Sequence, residues 1–178
     1  IIAQSYGELL QTLTAGFGDM VKISLKFDSS NHTRELAGLI RKSLVLKDVS
    51  RRPRHFKKLS EAERADKEIT LAACSRKGTL LEYASIEMKA DREVVLEAVK
   101  NDGFALLKAS PELRGDRELL LEAVRNCGEV IRCAHPEFWS DRQVVLEAVR
   151  QFGTFLACAS GELKNDREVV TAAVLQDG

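Results

Sequence analysis

The triad Asp-Arg-Glu recurs along the chain as Asp91-Arg92-Glu93, Asp116-Arg117-Glu118 and Asp166-Arg167-Glu168, with Asp66-Lys67-Glu68 and Asp141-Arg142-Gln143 as variants. Paired carboxylates can act as general acid and base, but only when they converge on one cleft in unequal surroundings. Copies set 25 residues apart form a ladder along one edge instead. The local spacing is that of a helix cap. The Asp carboxylate can accept from the free N–H groups of the first turn, and the following Glu adds negative charge at the positive end of the helix dipole. The intervening Arg92, Arg117, Arg142 and Arg167 are expected to pair with acids of neighbouring units.

A second cluster is basic. The segment RRPRHFKKLS places Arg51, Arg52, Arg54, Lys57 and Lys58 within eight residues. These are polyanion-binding candidates, suited to phosphate oxygens of RNA or to anionic headgroups; the plainer reading is a solvated linker attracted to the acidic array. Trp139 is a partner-contact candidate, because its equivalents Lys89, Arg114 and Lys164 are residues of an exposed edge, and Trp is enriched at partner contacts. The alternative is an aromatic lid over its own unit. His32, His55 and His135 are scattered, and His135 takes the cap position that Ser fills elsewhere. The cysteines, Cys74, Cys127, Cys133 and Cys158, contain no C-x-x-C. Cys74 stands where other units have Val and reads as a core hydrophobe, while Cys133 and Cys158 share a repeat position and read as a reduced pair. GFGD at 16–19 lacks the Lys of a phosphate loop. No catalytic residue, cofactor or metal ligand is expected.

The elements that position these residues follow from a strict period. Asp66, Asp91, Asp116, Asp141 and Asp166 are spaced 25 apart, as are Gly78, Gly103, Gly128, Gly153 and Gly178, which is the signature of a stacked solenoid. In each unit the Asp opens a helix. Val94, Val95, Leu96, Ala98 and Val99 form its apolar face, and Glu97, Lys100 and Asn101 its polar stripe. Gly103 is expected to end the helix in the left-handed conformation. A second short helix, FALLKA, brings Leu106, Leu107 and Ala109, and Ser110-Pro111-Glu112 opens a final turn that Leu113 plugs into the core. One such unit cannot bury its apolar face alone; stacking makes a continuous core.

The DREVVLEAV opening, the Gly twelve residues after the Asp and the ALLKAS-PEL closing resemble the DUF4116 repeat family, a domain of unknown function. The resemblance covers residues 66–178 and implies an all-helical array with no transferred catalytic residue. The unit 66–90 departs most, with Lys67 for Arg and Ile86 for Pro.

Residues 1–60 do not repeat. YGELLQTL suggests a helix, DMVKISLKFD alternates as a strand, and TRELAGLIRKSLVL has helical spacing. The order strand, polar loop, helix resembles the start of the thioredoxin-like fold of small mitochondrial ribosomal and complex I subunits, over about 30 residues and without a redox Cys. That resemblance implies an organellar assembly, mitochondrial or plastid. Residues 1–60 hold 11 Lys/Arg against 5 Asp/Glu, and residues 61–178 hold 16 against 22. Zero net charge is therefore the sum of a basic head and an acidic array, which hints at partner contact. No run of apolar residues is long enough to span a bilayer. The chain opens on Ile1 and stops part-way through a repeat, so a trimmed or processed chain is expected.

The expected fold is mainly α: an α-hairpin solenoid of 25-residue repeats over 61–178, with units 66–90, 91–115, 116–140, 141–165 and a partial 166–178, behind a small strand-helix head and basic linker over 1–60. The expected role is a non-catalytic protein–protein interaction or scaffold subunit of a larger assembly, with other protein subunits as partners. The alternatives are an RNA-contacting organellar ribosomal subunit, using segment 51–58 on rRNA, and an enzyme with a cleft between head and array.

Overall fold

The computed structural model of the chain describes residues 31–177, and residues 39–178 form one compact body. The expected helix at 6–13 and strand at 19–28 lie outside the described residues. The helix expected over TRELAGLIRKSLVL is present as Asn31–Arg51.

The repeats share one course, except that the closing turn is α-helical in the units 66–90 and 91–115 and 3-10 in 116–140 and 141–165. In the unit 91–115, Asp91 opens a ten-residue α-helix, Arg92–Asn101; a 3-10 helix, Gly103–Lys108, follows; then comes a one-turn α-helix, Pro111–Arg114. Successive long helices, Lys67–Cys74, Arg92–Asn101, Arg117–Asn126, Arg142–Gln151 and Arg167–Asp177, pack side by side. Each also touches the 3-10 helix of the unit before, and those of complete units touch their own. Positions i, i+1, i+4 and i+5 face inward in the helices of the four complete units, whereas in the last helix Val169 and Ala173 are buried and Val174 is exposed. Val94, Val95, Ala98 and Val99 are fully buried, as are Val144, Val145, Ala148 and Val149. Met88, Leu113, Phe138 and Leu163 close the units as expected. Phe138 and Leu163 are buried, and Met88 and Leu113 pack half-buried on the core.

Two local expectations are corrected. FALLKA is a 3-10 helix rather than an α-helix. Ser110 N–H, which an α-helix would direct at Leu106 O, bonds instead to Lys89 O of the preceding unit at 2.9 Å, and Ala109 N–H takes Leu106 O at 3.1 Å. A three-residue period then aligns Gly103, Leu106 and Ala109 on one buried face. The glycines are not left-handed either, because no glycine among the described residues has positive φ. A Cβ on Gly103 would lie 2.5 Å from Ala123 O and 3.3 Å from Cys127 Cβ, so the residue is small because the next unit's helix passes directly over it.

The course also begins earlier than the first Asp. The 3-10 helix Pro53–Lys58 and the turn Glu61–Arg64, capped by Ser60, stand 25 residues before Gly78–Tyr83 and Ile86–Lys89, capped by Ser85. The segment read as a linker is thus the 3-10 element of a leading unit, anchored by fully buried Phe56. Its pattern escapes the Asp register because Arg41 stands at the Asp position and Pro53 at the Gly position.

Candidate functional site

The recurrent Asp uses its two oxygens in two directions. Oδ1 of Asp116 accepts from Glu118 N–H at 2.9 Å and Leu119 N–H at 3.0 Å, capping its own helix. Oδ2 accepts from Arg92 Nε of the preceding unit at 3.1 Å, and the same guanidinium reaches Glu118. The arrangement repeats with Lys42 on Asp66 and Glu68, Lys67 on Asp91 and Glu93, Arg117 on Asp141 and Gln143, and Arg142 on Asp166 and Glu168. Burial alone would raise the Asp116 carboxyl, but its helix N–H bonds and Arg92 together hold it below the ordinary carboxylate range. The Lys67 ammonium, chiefly, does the same for Asp91. Each carboxylate is therefore a stable anion joining two units, and the ladder is a structural seam rather than an acid–base pair.

A second seam was not legible as such. Asn126 Oδ1 accepts from Gly103 N–H at 2.9 Å while its Nδ2 donates to Lys100 O at 3.0 Å, so one carboxamide staples the end of the preceding long helix to its 3-10 turn. Asn101 does this on Gly78 and Ser75, and Gln151 on Gly128 and Arg125. The available signal was a carboxamide at one repeat position, which reads as part of a polar stripe until the close approach at Gly is known. The leading joint lacks the staple consistently on both sides: Pro53 has no N–H, and Arg76 replaces the carboxamide.

The basic candidates are gathered on that leading unit. Arg51, Arg52, Arg54, Lys57 and Lys58 are all exposed. Arg52 and His55 both reach Asp48, at 3.5 and 2.8 Å. Arg64 extends to the next unit and donates from Nη1 to Tyr83 O at 2.8 Å, while its Nε is buried without a partner.

Trp139 is half-buried rather than standing free on the edge, and its ring reaches the following unit. Its ring meets Phe155 edge-on at 6.1 Å, and Phe155 meets Phe152 at 5.5 Å. His135 starts its 3-10 turn without a side-chain cap bond, whereas Ser60, Ser85, Ser110 and Ser160 cap theirs. Cys74 is fully buried, and burial, with the nearby charge of Glu97, pushes its thiol up to about 12. Cys133 and Cys158 are exposed and unbridged. A cleft between the units 91–115 and 116–140 is lined by Leu106, Leu107, Leu120, Val130, Arg114 and His135, among others, with no carboxylate facing its imidazole. Among the described residues no group of three or more His, Cys, Asp or Glu could hold a metal ion, and no helix is long and apolar enough to cross a membrane.

The model of a family described as a domain of unknown function, DUF4116, matches residues 91–139 and 141–178. The two matched segments are adjacent and together cover a little under half of the chain. No curated protein and no solved structure matches the chain. The unit 66–90 lies ahead of the matched DUF4116 segments but shares their Asp cap, cation rung and 3-10 turn.

Proposed function

We propose that the chain is a non-catalytic interaction scaffold, one subunit of a larger assembly. The observation that carries this reading is the fate of its recurrent polar groups. Asp, Arg and carboxamide at fixed repeat positions are bonded to the adjacent unit, so the residues with the means for chemistry are committed to holding units together. What faces outward is an extended surface whose residues vary from unit to unit, as a binding surface built on a repeat requires. An organellar assembly in a mitochondrion or plastid remains part of this proposal. Gentle purification from the native source tests it. The chain should migrate in a defined particle with fixed stoichiometry, and migration only as the free chain would contradict the reading.

A second reading is RNA contact through segment 51–58, as in an organellar ribosomal subunit. It is favoured by one observation: the five cations stand exposed on folded structure, Arg51 at the end of a helix, Arg52 at the cap of the next turn and Arg54, Lys57 and Lys58 on that turn, not on a loose linker. Nuclease treatment of the native particle separates the two readings, since a protein-only scaffold keeps its size.

A further inference from the structure

The repeat supplies its own control for what the basic unit is for. Residues 41–65 hold nine Lys/Arg against three Asp/Glu, whereas 66–90 hold four against four and 91–115 four against five. Later units build the same six-residue 3-10 helix with Thr79 and Glu82, or with Thr154 and Ala157, where the leading unit has Arg54 and Lys57. The fold therefore does not need these cations, and gathering like charges within a screening length opposes the compact state. Among the described residues Arg54, Lys57, Lys58, Arg76 and Lys77 have no ion-pair partner.

Register adds an aromatic ring and two more cations to this patch. Asn101 reaches Gly78 of the preceding turn at 2.7 Å; one unit earlier those two register positions are Arg76 and Pro53, which adjoin Lys77 and Arg54 in the chain. Lys108 reaches Glu82 at 3.3 Å; one unit earlier those two positions are Tyr83 and Lys57. Tyr83 is 38 % exposed, and the bond from Arg64 to its carbonyl fixes its turn to the basic unit. Cations on a folded frame with an exposed ring at a neighbouring register position are the components of single-strand recognition, in which phosphates follow the charges and bases stack on the aromatic face.

We propose that Arg54, Lys57, Lys58, Arg76 and Lys77, with Tyr83 as stacking platform, form a binding track for single-stranded nucleic acid along the 3-10 edge of the first two units. This deepens the RNA-contact reading and rests on it: that reading needs only charge, whereas the track needs unpaired bases.

The test is fluorescence anisotropy of the whole chain with an oligouridylate of about 20 nucleotides, with a duplex RNA of the same length, and with vesicles containing anionic phospholipid. The single strand should bind at least tenfold tighter than the duplex, with log K falling against log salt at a slope of about −3.5 for five neutralised phosphates. Arg54→Thr with Lys57→Glu, residues the next unit already uses in the same turn, should flatten that slope while circular dichroism stays unchanged. Tyr83→Ala should weaken single-strand binding roughly tenfold and leave the slope alone. Equal affinity for duplex and single strand, with Tyr83→Ala silent, would overturn the track and leave the charge-only reading standing. A folded protein that ignores both RNAs, or binds only vesicles, would overturn both.

Discussion

Replacing Asn126 with Ala should open one joint of the array and leave the others closed. The side chain makes two bonds to the preceding unit, accepting from Gly103 N–H at 2.9 Å and donating to Lys100 O at 3.0 Å. Gly103 is buried under the next helix, so its N–H would lose its partner with no ready access for water. An orphaned buried donor costs about 1–3 kcal/mol, and the more exposed bond to Lys100 O adds roughly 0.5–1 kcal/mol. A total near 2–3 kcal/mol corresponds to a fall in Tm of about 5–10 °C for a chain of this size. Urea unfolding followed by far-UV circular dichroism would give the free energy, and amide exchange at Gly103 would locate it. Asn126→Gln should lose less than about 0.5 kcal/mol, since Gln151 fills the same role at the next joint. An alanine variant within about 0.5 kcal/mol of the parent, or a glutamine variant as unstable as the alanine one, would refute the stapling argument.

Further expectations follow from the same geometry. The Asp66, Asp91, Asp116, Asp141 and Asp166 carboxyls are all held below their ordinary range. Their contribution to stability should be complete above about pH 4 and lost as pH falls through the depressed folded values; a pH series of urea midpoints that stays flat below pH 4 would contradict this. In native protein a thiol reagent should modify exposed Cys133 and Cys158 quickly and leave Cys74, buried and raised to about 12, until the chain unfolds; early labelling of Cys74 by peptide mapping would count against its place in the core. Trp139→Lys adopts the residue type of Lys89 and Lys164 but removes an edge-on contact with Phe155, so it should cost about 1 kcal/mol without loss of helix. The single Trp of the chain also makes fluorescence a direct report on that joint, and Phe155→Leu should change the emission of Trp139.

Much of the array was legible because a repeat performs the same experiment several times. Five Asp at one spacing, each followed by a cation and, in four cases, by Glu, fix the caps and suggest the inter-unit pairs; the caps are present, and so are the pairs of Arg92, Arg117 and Arg142, while Arg167 makes none among the described residues. The second helix of each unit was misread because its backbone is decided by an inter-unit bond, Ser110 N–H to Lys89 O, which no local pattern announces. Gly103 was read from its own conformational freedom, when its constraint comes from Ala123 of the next unit. The leading unit was missed for a related reason. Arg41 and Pro53 erase the two letters that mark the register, while Lys42, Phe56 and Ser60 keep the contacts. Trp139 was placed on an edge by analogy with Lys and Arg, but a large ring finds apolar cover that a charged side chain at the same position does not seek. The basic segment was visible as charge alone; Tyr83 joins it only through the register of neighbouring turns.

The central claim is that units cohere through nearest-neighbour joints. It is tested most directly by two double-mutant cycles read in urea. Asn101→Ala with Gly78→Ala strikes one joint twice, because Asn101 accepts from Gly78 N–H at 2.7 Å; Asn101→Ala with Gln151→Ala strikes two separate joints. The account predicts a coupling of about 0.5 kcal/mol or more in the first cycle and additivity within about 0.5 kcal/mol in the second. Additivity in the first cycle, or equal coupling in both, would contradict it.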